Sequence, residues 1–190
     1  MVPASEISGK LLTRDELGAI IGDTELTEAA TYTEPKLYFE NVEPEACGVR
    51  VMENGINVLD GTERAALAGN SSAGAAGKYA GQVVTIWPSA KTATDRFDFA
   101  TFDWEVCKDG QSFTVTLDNE TQQWTAGPVA VTEARMTTSA QRAQPTPRSC
   151  AHVLARHWNV MVETKVCARE GDTMGAANQI ADTILAKFPS

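Results

Sequence analysis

Cysteine and histidine have the greatest chemical reach of any residues in this chain, and their spacing decides what they can do. Cys47, Cys107, Cys150 and Cys167 stand singly, without the C-x-x-C pairs that build zinc or thioredoxin-type sites. An even number of separated cysteines fits two disulfides in an oxidising compartment, and four unrelated buried thiols are the other reading. His152 and His157 are the only histidines, and their separation puts them on different sides of a helix or on opposite faces of a strand, so they form no local metal pair. A Cys/His nucleophile needs an activated thiolate, which paired cysteines do not leave. These residues point to no catalytic group, no metal and no cofactor.

Other candidates for chemistry have plainer explanations. Asp95, Asp98, Asp103 and Glu105 fall where a helix would present its wet side. Gly77-Lys78 suggests a phosphate loop, but Tyr79 follows the lysine and Ser72 stands where the leading glycine is required. The sequons at Asn70 and Asn119 matter only in a eukaryotic secretory pathway. Trp87, Trp104, Trp124 and Trp158 could wall a pocket or simply pack a core. A net charge of -9 repels phosphate backbones, so nucleic acid is excluded as a partner.

The elements that must position these residues are legible from caps and periodicity. Thr13 and Glu16 have the capping-box spacing, Leu17, Ile20 and Ile21 form an apolar face, and Gly22 ends a helix over 13–21. Residues 28–40 read as an interrupted edge strand, and the glycine-rich stretch 69–77 as a mobile loop with little to bury. A strand over 79–87 precedes a helix started by Pro88-Ser89, with Ala90, Ala93, Phe97, Ala100 and Trp104 at helical spacing and Cys107 continuing that stripe towards the segment of Cys47. Phe113, Val115 and Leu117, then Val129 and Val131, alternate as strands. After a stiff connector at Pro145 and Pro147, two β-compatible runs lie either side of Trp158-Asn159, so a hairpin would bring Cys150 level with Cys167. Met174, Ala177, Ile180, Ala181, Ile184, Leu185 and Phe188 trace a final amphipathic helix capped by Asp172 or Thr173.

No stretch approaches the roughly 20 apolar residues that cross a bilayer. Residues 1–10 lack a signal-peptide core and read as a flexible leader or cloning remnant. The chain is then either cytoplasmic or an exported domain without its leader, and the cysteines favour export.

In the order Leu12-Thr13, Glu16-Leu17 and Gly22, then Trp87-Pro88-Ser89-Ala90, Phe97 and Trp104-x-x-Cys107, then Cys150, Leu154, Arg156, Asn159-Val160, Val162 and Cys167, then Ala177, Ile180 and Ile184, the chain resembles the PknH-like extracellular sensor domains of mycobacterial receptor kinases and related lipoproteins. The resemblance implies an antiparallel sheet packed with helices, bridges joining Cys47 to Cys107 and Cys150 to Cys167, and a groove that receives an extracellular ligand. In several relatives an Asn-Asn pair lies where this chain has Trp158-Asn159, and the glycine-rich stretch and 141–148 are particular to this sequence.

Together these readings predict one α+β domain over residues 1–190, stapled by two disulfides and located on the extracellular or periplasmic side of the cell envelope. The expected function is a sensor or ligand-binding domain of a receptor kinase or envelope lipoprotein, without catalytic activity. An envelope protein-interaction domain with no small ligand is the alternative, and a secreted hydrolase using Asp103 or Glu105 the remoter one. The expected groove lies beside the Trp87 strand and the final hairpin, with Arg156 and Asn159 as polar anchors and Trp87 or Trp104 as apolar wall. Expected partners are a small extracellular ligand or an envelope protein, with membrane contact only through a removed lipid anchor or transmembrane segment.

Overall fold

Local chemistry sets the helix boundaries. In the computed structural model, which describes residues 1–35, 42–51, 53, 64–117 and 119–189, the Glu16 N–H donates to the Thr13 hydroxyl at 3.2 Å and the Thr13 N–H to the Glu16 carboxylate at 2.6 Å. That reciprocal pair starts α1 (Arg14–Ile21), and Gly22 ends it at a φ of 66°. Ser89 caps α2 (Ala90–Val106) by accepting the Thr92 N–H at 3.0 Å. Asp172 caps α3 (Thr173–Leu185) by accepting the Gly175 N–H at 2.8 Å.

The strands are β1 (Thr27–Tyr32), β2 (Val42–Glu43), β3 (Ala66–Ala73), β4 (Tyr79–Ile86), β5 (Ser112–Leu117), β6 (Glu120–Ala126), β7 (Ala130–Val131), β8 (Arg135–Arg142), β9 (Arg148–His157) and β10 (Val160–Ala168). They join in one antiparallel sheet ordered β1-β3-β4-β10-β9-β8-β6-β5-β2, with β7 also pairing β8. Both disulfides implied by the resemblance are formed, Cys47–Cys107 and Cys150–Cys167. Cys150 and Cys167 are register partners on the β9–β10 hairpin, which turns at Trp158-Asn159 as its symmetry suggests.

Because side chains alternate across a strand, the sheet has two different faces. Val84 of β4, Val153 of β9 and Val160, Val162 and Val166 of β10 pack with Leu17 of α1 and Ala177, Ile180, Ala181 and Ile184 of α3. On the opposite face Val83, Leu154 and Met161 pack with Phe97, Ala100 and Trp104 of α2. A third apolar group gathers Phe113, Val115 and Trp124 around both cystines.

Two expectations are corrected. Residues 69–77 are not a mobile loop: Gly69, Asn70, Ser71 and Ser72 lie in β3, with Ser71 and Ser72 buried. Small side chains are what this strand requires, since a Cβ on Gly69 would stand 2.6 Å from the Gln82 carbonyl and 3.1 Å from the Tyr32 ring. Residues 1–10 are not a loose leader either. Ala4–Gly9 forms a 3-10 helix, and Val2 is buried with its N–H on the Asn159 carboxamide oxygen at 2.9 Å. The edge strand expected over 28–40 begins as β1, while its portion 36–40 lies outside the described residues.

Candidate functional site

The α2 face of the sheet carries charge where the other carries valine. Alternation sends Glu163 and Lys165 of β10 and His152 of β9 to this side, all buried. Their roof is the 3-10 segment Glu45–Arg50 with Val51 and Glu53, tethered by the Cys47–Cys107 bridge. The Lys165 ammonium donates to the Val51 carbonyl at 2.6 Å and pairs with the Glu53 carboxylate at 2.5 Å. Tyr32 donates to Glu53 at 3.0 Å, and Tyr79 donates to the same carboxylate oxygen. Arg50 reaches the Thr138 hydroxyl and the Cys107 carbonyl.

His152 closes this layer. Its Nδ1 lies 2.8 Å from the Val49 carbonyl, which can only accept, so Nδ1 carries a hydrogen. Nε2 faces the Glu163 carboxyl at 2.8 Å, and the ring lies 4.5 Å from that of Trp104. Burial alone would lift the Glu53 carboxyl, but the Lys165 charge and the hydrogen bonds from Lys165 and Tyr79 outweigh it and hold the group below the usual carboxylate range. Burial, with the Glu53 charge adding to it, pushes Tyr32 up to about 12 and Tyr79 up as well. Arg50 is lowered to about 10 by burial, against the opposing charge of Asp109. Every charge here is spent on another part of the protein, so this layer is a structural lock rather than an open site.

An open site lies on the same side, between α2 and the turn after β7. A cleft of about 420 Å³ is lined by Thr94, Phe97, Asp98 and Thr101 of α2, by Val131, Thr132 and Glu133, and by Arg156 of β9. The Arg156 guanidinium lies 5.8 Å from the Phe97 ring centroid and donates from Nη2 to the Glu133 carbonyl at 3.1 Å. Its Nε is shielded without a partner, and among the described residues nothing bonds Nη1. An arginine fork with donors to spare, set against an aromatic wall, fits a carboxylate or phosphate carried on an apolar body. Another cavity, of about 410 Å³ between the end of α1 and the start of α3, has its one cation and one of its two carboxylates committed. Lys78 donates to the Gly22 carbonyl at 2.5 Å and Asp172 caps α3.

A family model described as the PknH-like extracellular domain matches residues 2–187. The chain belongs to that family. The crystal structure of the extracellular domain of PknH from Mycobacterium tuberculosis superposes with a TM-score of 0.85 at 22% identity, covering 98% of this chain and 96% of that one. A structure of the hypothetical protein jhp0584 from Helicobacter pylori aligns at a TM-score of 0.30 and 10% identity over 57% of this chain and 85% of that one, too loosely to carry an argument. No curated protein matches the chain. The fold is therefore that of the PknH extracellular domain, and the chain is an extracellular PknH-like sensor domain.

Within this PknH-like framework the residues expected to bind ligand part company. Trp87 and Trp104 are fully buried, Trp87 donating its indole N–H to the Met161 sulfur at 3.0 Å. Asn159 is buried and spent: it accepts from the Val2 N–H and donates to the carbonyls of Val2 at 3.1 Å and Trp87 at 2.8 Å. Arg156 alone of the four lines an open cavity among those described. Nothing local in the sequence marks Glu53, Tyr32, Lys165, Glu163 or Arg50 as members of one polar layer, and Tyr79 reads there only as the start of a strand. A usable signal exists in β10, where Glu163 and Lys165 sit two apart inside Val160–Ala168, a run apolar but for them and Thr164, and so share one face.

Proposed function

We propose that this extracellular domain senses a small ligand with an apolar body and one anionic group, bound in the Arg156 cleft, as the sensor of a receptor kinase or as an envelope lipoprotein. One observation carries the reading. In a chain of net charge -9, Arg156 lines a cavity walled by Phe97 and Val131, and among the described residues its guanidinium makes one hydrogen bond, from Nη2 to the Glu133 carbonyl. Lys165 and both terminal nitrogens of Arg50, on the same face, are used up by internal partners. Asp98 and Glu133 are exposed at the cleft, where they would repel a second anionic group and so favour a ligand with one. Asp103 and Glu105, the carboxylates a hydrolase reading would use, do not line it.

The test uses octanoate, octyl phosphate and octanol in a thermal-shift titration. The two anions are expected to raise the melting temperature saturably and octanol not, since a ligand that binds only the folded state stabilises by mass action. Arg156→Gln is expected to weaken anion binding by about tenfold or more. Equal shifts by octanol, or undiminished anion binding by Arg156→Gln, would overturn the proposal.

A further inference from the structure

Helix α2 is apolar on two sides, and the core accounts for one. Ala93, Phe97, Ala100 and Trp104 are buried beneath it. Phe99, Phe102 and Val106, spaced i, i+3 and i+7, form a second stripe on the outward side, exposed to 51%, 69% and 44%. Scattered surface hydrophobes need no explanation, but three aligned along one helix, two of them aromatic, make a patch that folding does not use. Phenylalanine is also a poorer helix former than the polar residues that would serve a solvated face.

The charges framing this stripe are of one sign. Asp98 and Glu105 lie along one flank and Asp103 along the other, and among the described residues no cation pairs with any of them. Lys91 is committed to Asp95 at 2.6 Å, and Arg96 lies over the Trp87 ring at 5.7 Å. Asp103 and Glu105 occupy the last turn of α2, which has no basic residue. There the helix dipole is already negative, so acids are unfavourable for the helix alone. Partial burial lifts the Asp103 carboxyl further from easy ionisation. Each of these unfavourable placements is relieved by a cation brought in from outside.

We propose that the Phe99–Phe102–Val106 face of α2 is a docking surface for a basic amphipathic segment of another envelope protein. Apolar side chains of the partner cover the two phenylalanines, while its lysines or arginines meet Asp98, Asp103 and Glu105. A second copy of this chain would set like charges against each other, and an anionic bilayer would meet the same repulsion. The surface meets the Arg156 cleft only at Asp98, while Phe99, Phe102, Asp103, Glu105 and Val106 do not line that cleft, so the variants below test the proposal without touching it.

The experiment measures binding of a fluorescent Leu/Lys amphipathic peptide, about 18 residues long so that it can hold a helix, with a Leu/Glu peptide of the same pattern as control. The Leu/Lys peptide is expected to bind and the Leu/Glu peptide not. Phe99→Ser/Phe102→Ser should weaken binding about tenfold or more with no loss of melting temperature, because both side chains are exposed. Asp103→Asn/Glu105→Gln should weaken it several-fold and flatten its salt dependence. Failure of the Leu/Lys peptide to bind, equal binding of the two peptides, or binding unaffected by the serine pair overturns the proposal. So does self-association, or adsorption to phosphatidylglycerol vesicles, that the serine pair abolishes.

Discussion

Strand β10 shows both faces of the sheet within nine residues. Towards α3 it presents Val160, Val162 and Val166, and towards α2 it presents Met161, Glu163 and Lys165. The first face is held by area: aliphatic groups leave water and nothing about their exact partner matters greatly. The second is held by matching, because each buried charge needs its own counter-group. Matching adds little net stability, but it fixes where the roof of residues Glu45–Arg50 must sit. That face also carries the Arg156 cleft and the exposed stripe of α2, so the side with the most exacting polar contacts is the side with the candidate binding surfaces.

The largest expected effect is at Lys165. Lys165→Met should cost about 3–5 kcal/mol by stranding a buried carboxylate, whereas Glu53→Gln/Lys165→Met should recover much of that loss. Chemical denaturation of the two variants checks this. Additive losses would mean that the α2 face is held by area after all.

Acid should next separate the faces, because the apolar one has nothing to titrate. The folded-state carboxyl of Glu53 is held below its ordinary value of 4.5. Its contribution is therefore present above that value and lost as pH falls below it and through the depressed folded value. Glu53→Gln, which mimics the protonated group, should flatten much of this acid limb in melting curves. Glu16 is lowered too, chiefly by its hydrogen bonds with Thr13, but it is exposed, so Glu16→Gln should alter the limb only slightly. Equal flattening by both variants would contradict the contrast drawn between buried and surface charge.

The smallest effect concerns the hairpin tip. Trp158 is 53% exposed and takes a φ of 53°, a left-handed conformation that bulky residues resist. Trp158→Asn should raise stability by about 1 kcal/mol, readable as a shift in denaturation midpoint. A fall instead would show that the indole contributes packing that its exposure does not suggest.

Much of this architecture was legible in the sequence because its signals are local. Thr13 with Glu16, Ser89, Asp172 and Gly22 mark helix ends by chemistry confined to one turn. The hairpin around Trp158-Asn159 was readable for the same reason. What could not be read depends on partners far away in the chain. Asn159 looks like a polar anchor for a ligand until Val2, 157 positions distant, is seen to occupy it. Glycine and serine at 69–72 suggest mobility until Tyr32 and Gln82 are found against them. The acidic residues of α2 were read as a solvated side. The spacing of Phe97 and Trp104 fixes the helix rotation already in the sequence, but that the wet side also carries Phe99 and Phe102, both exposed, emerges only from the fold.

The β9–β10 hairpin is fastened at both ends, by its turn at one and by the Cys150–Cys167 bridge at the other. Two rails clamped in this way cannot slide. A slip of a single residue would drive Glu163 and Lys165 into the aliphatic layer under α3 and turn the valines towards the roof. The clamp closes off that misalignment even while the outer strands are still open, so the remaining strands assemble against a pair whose alignment is already decided.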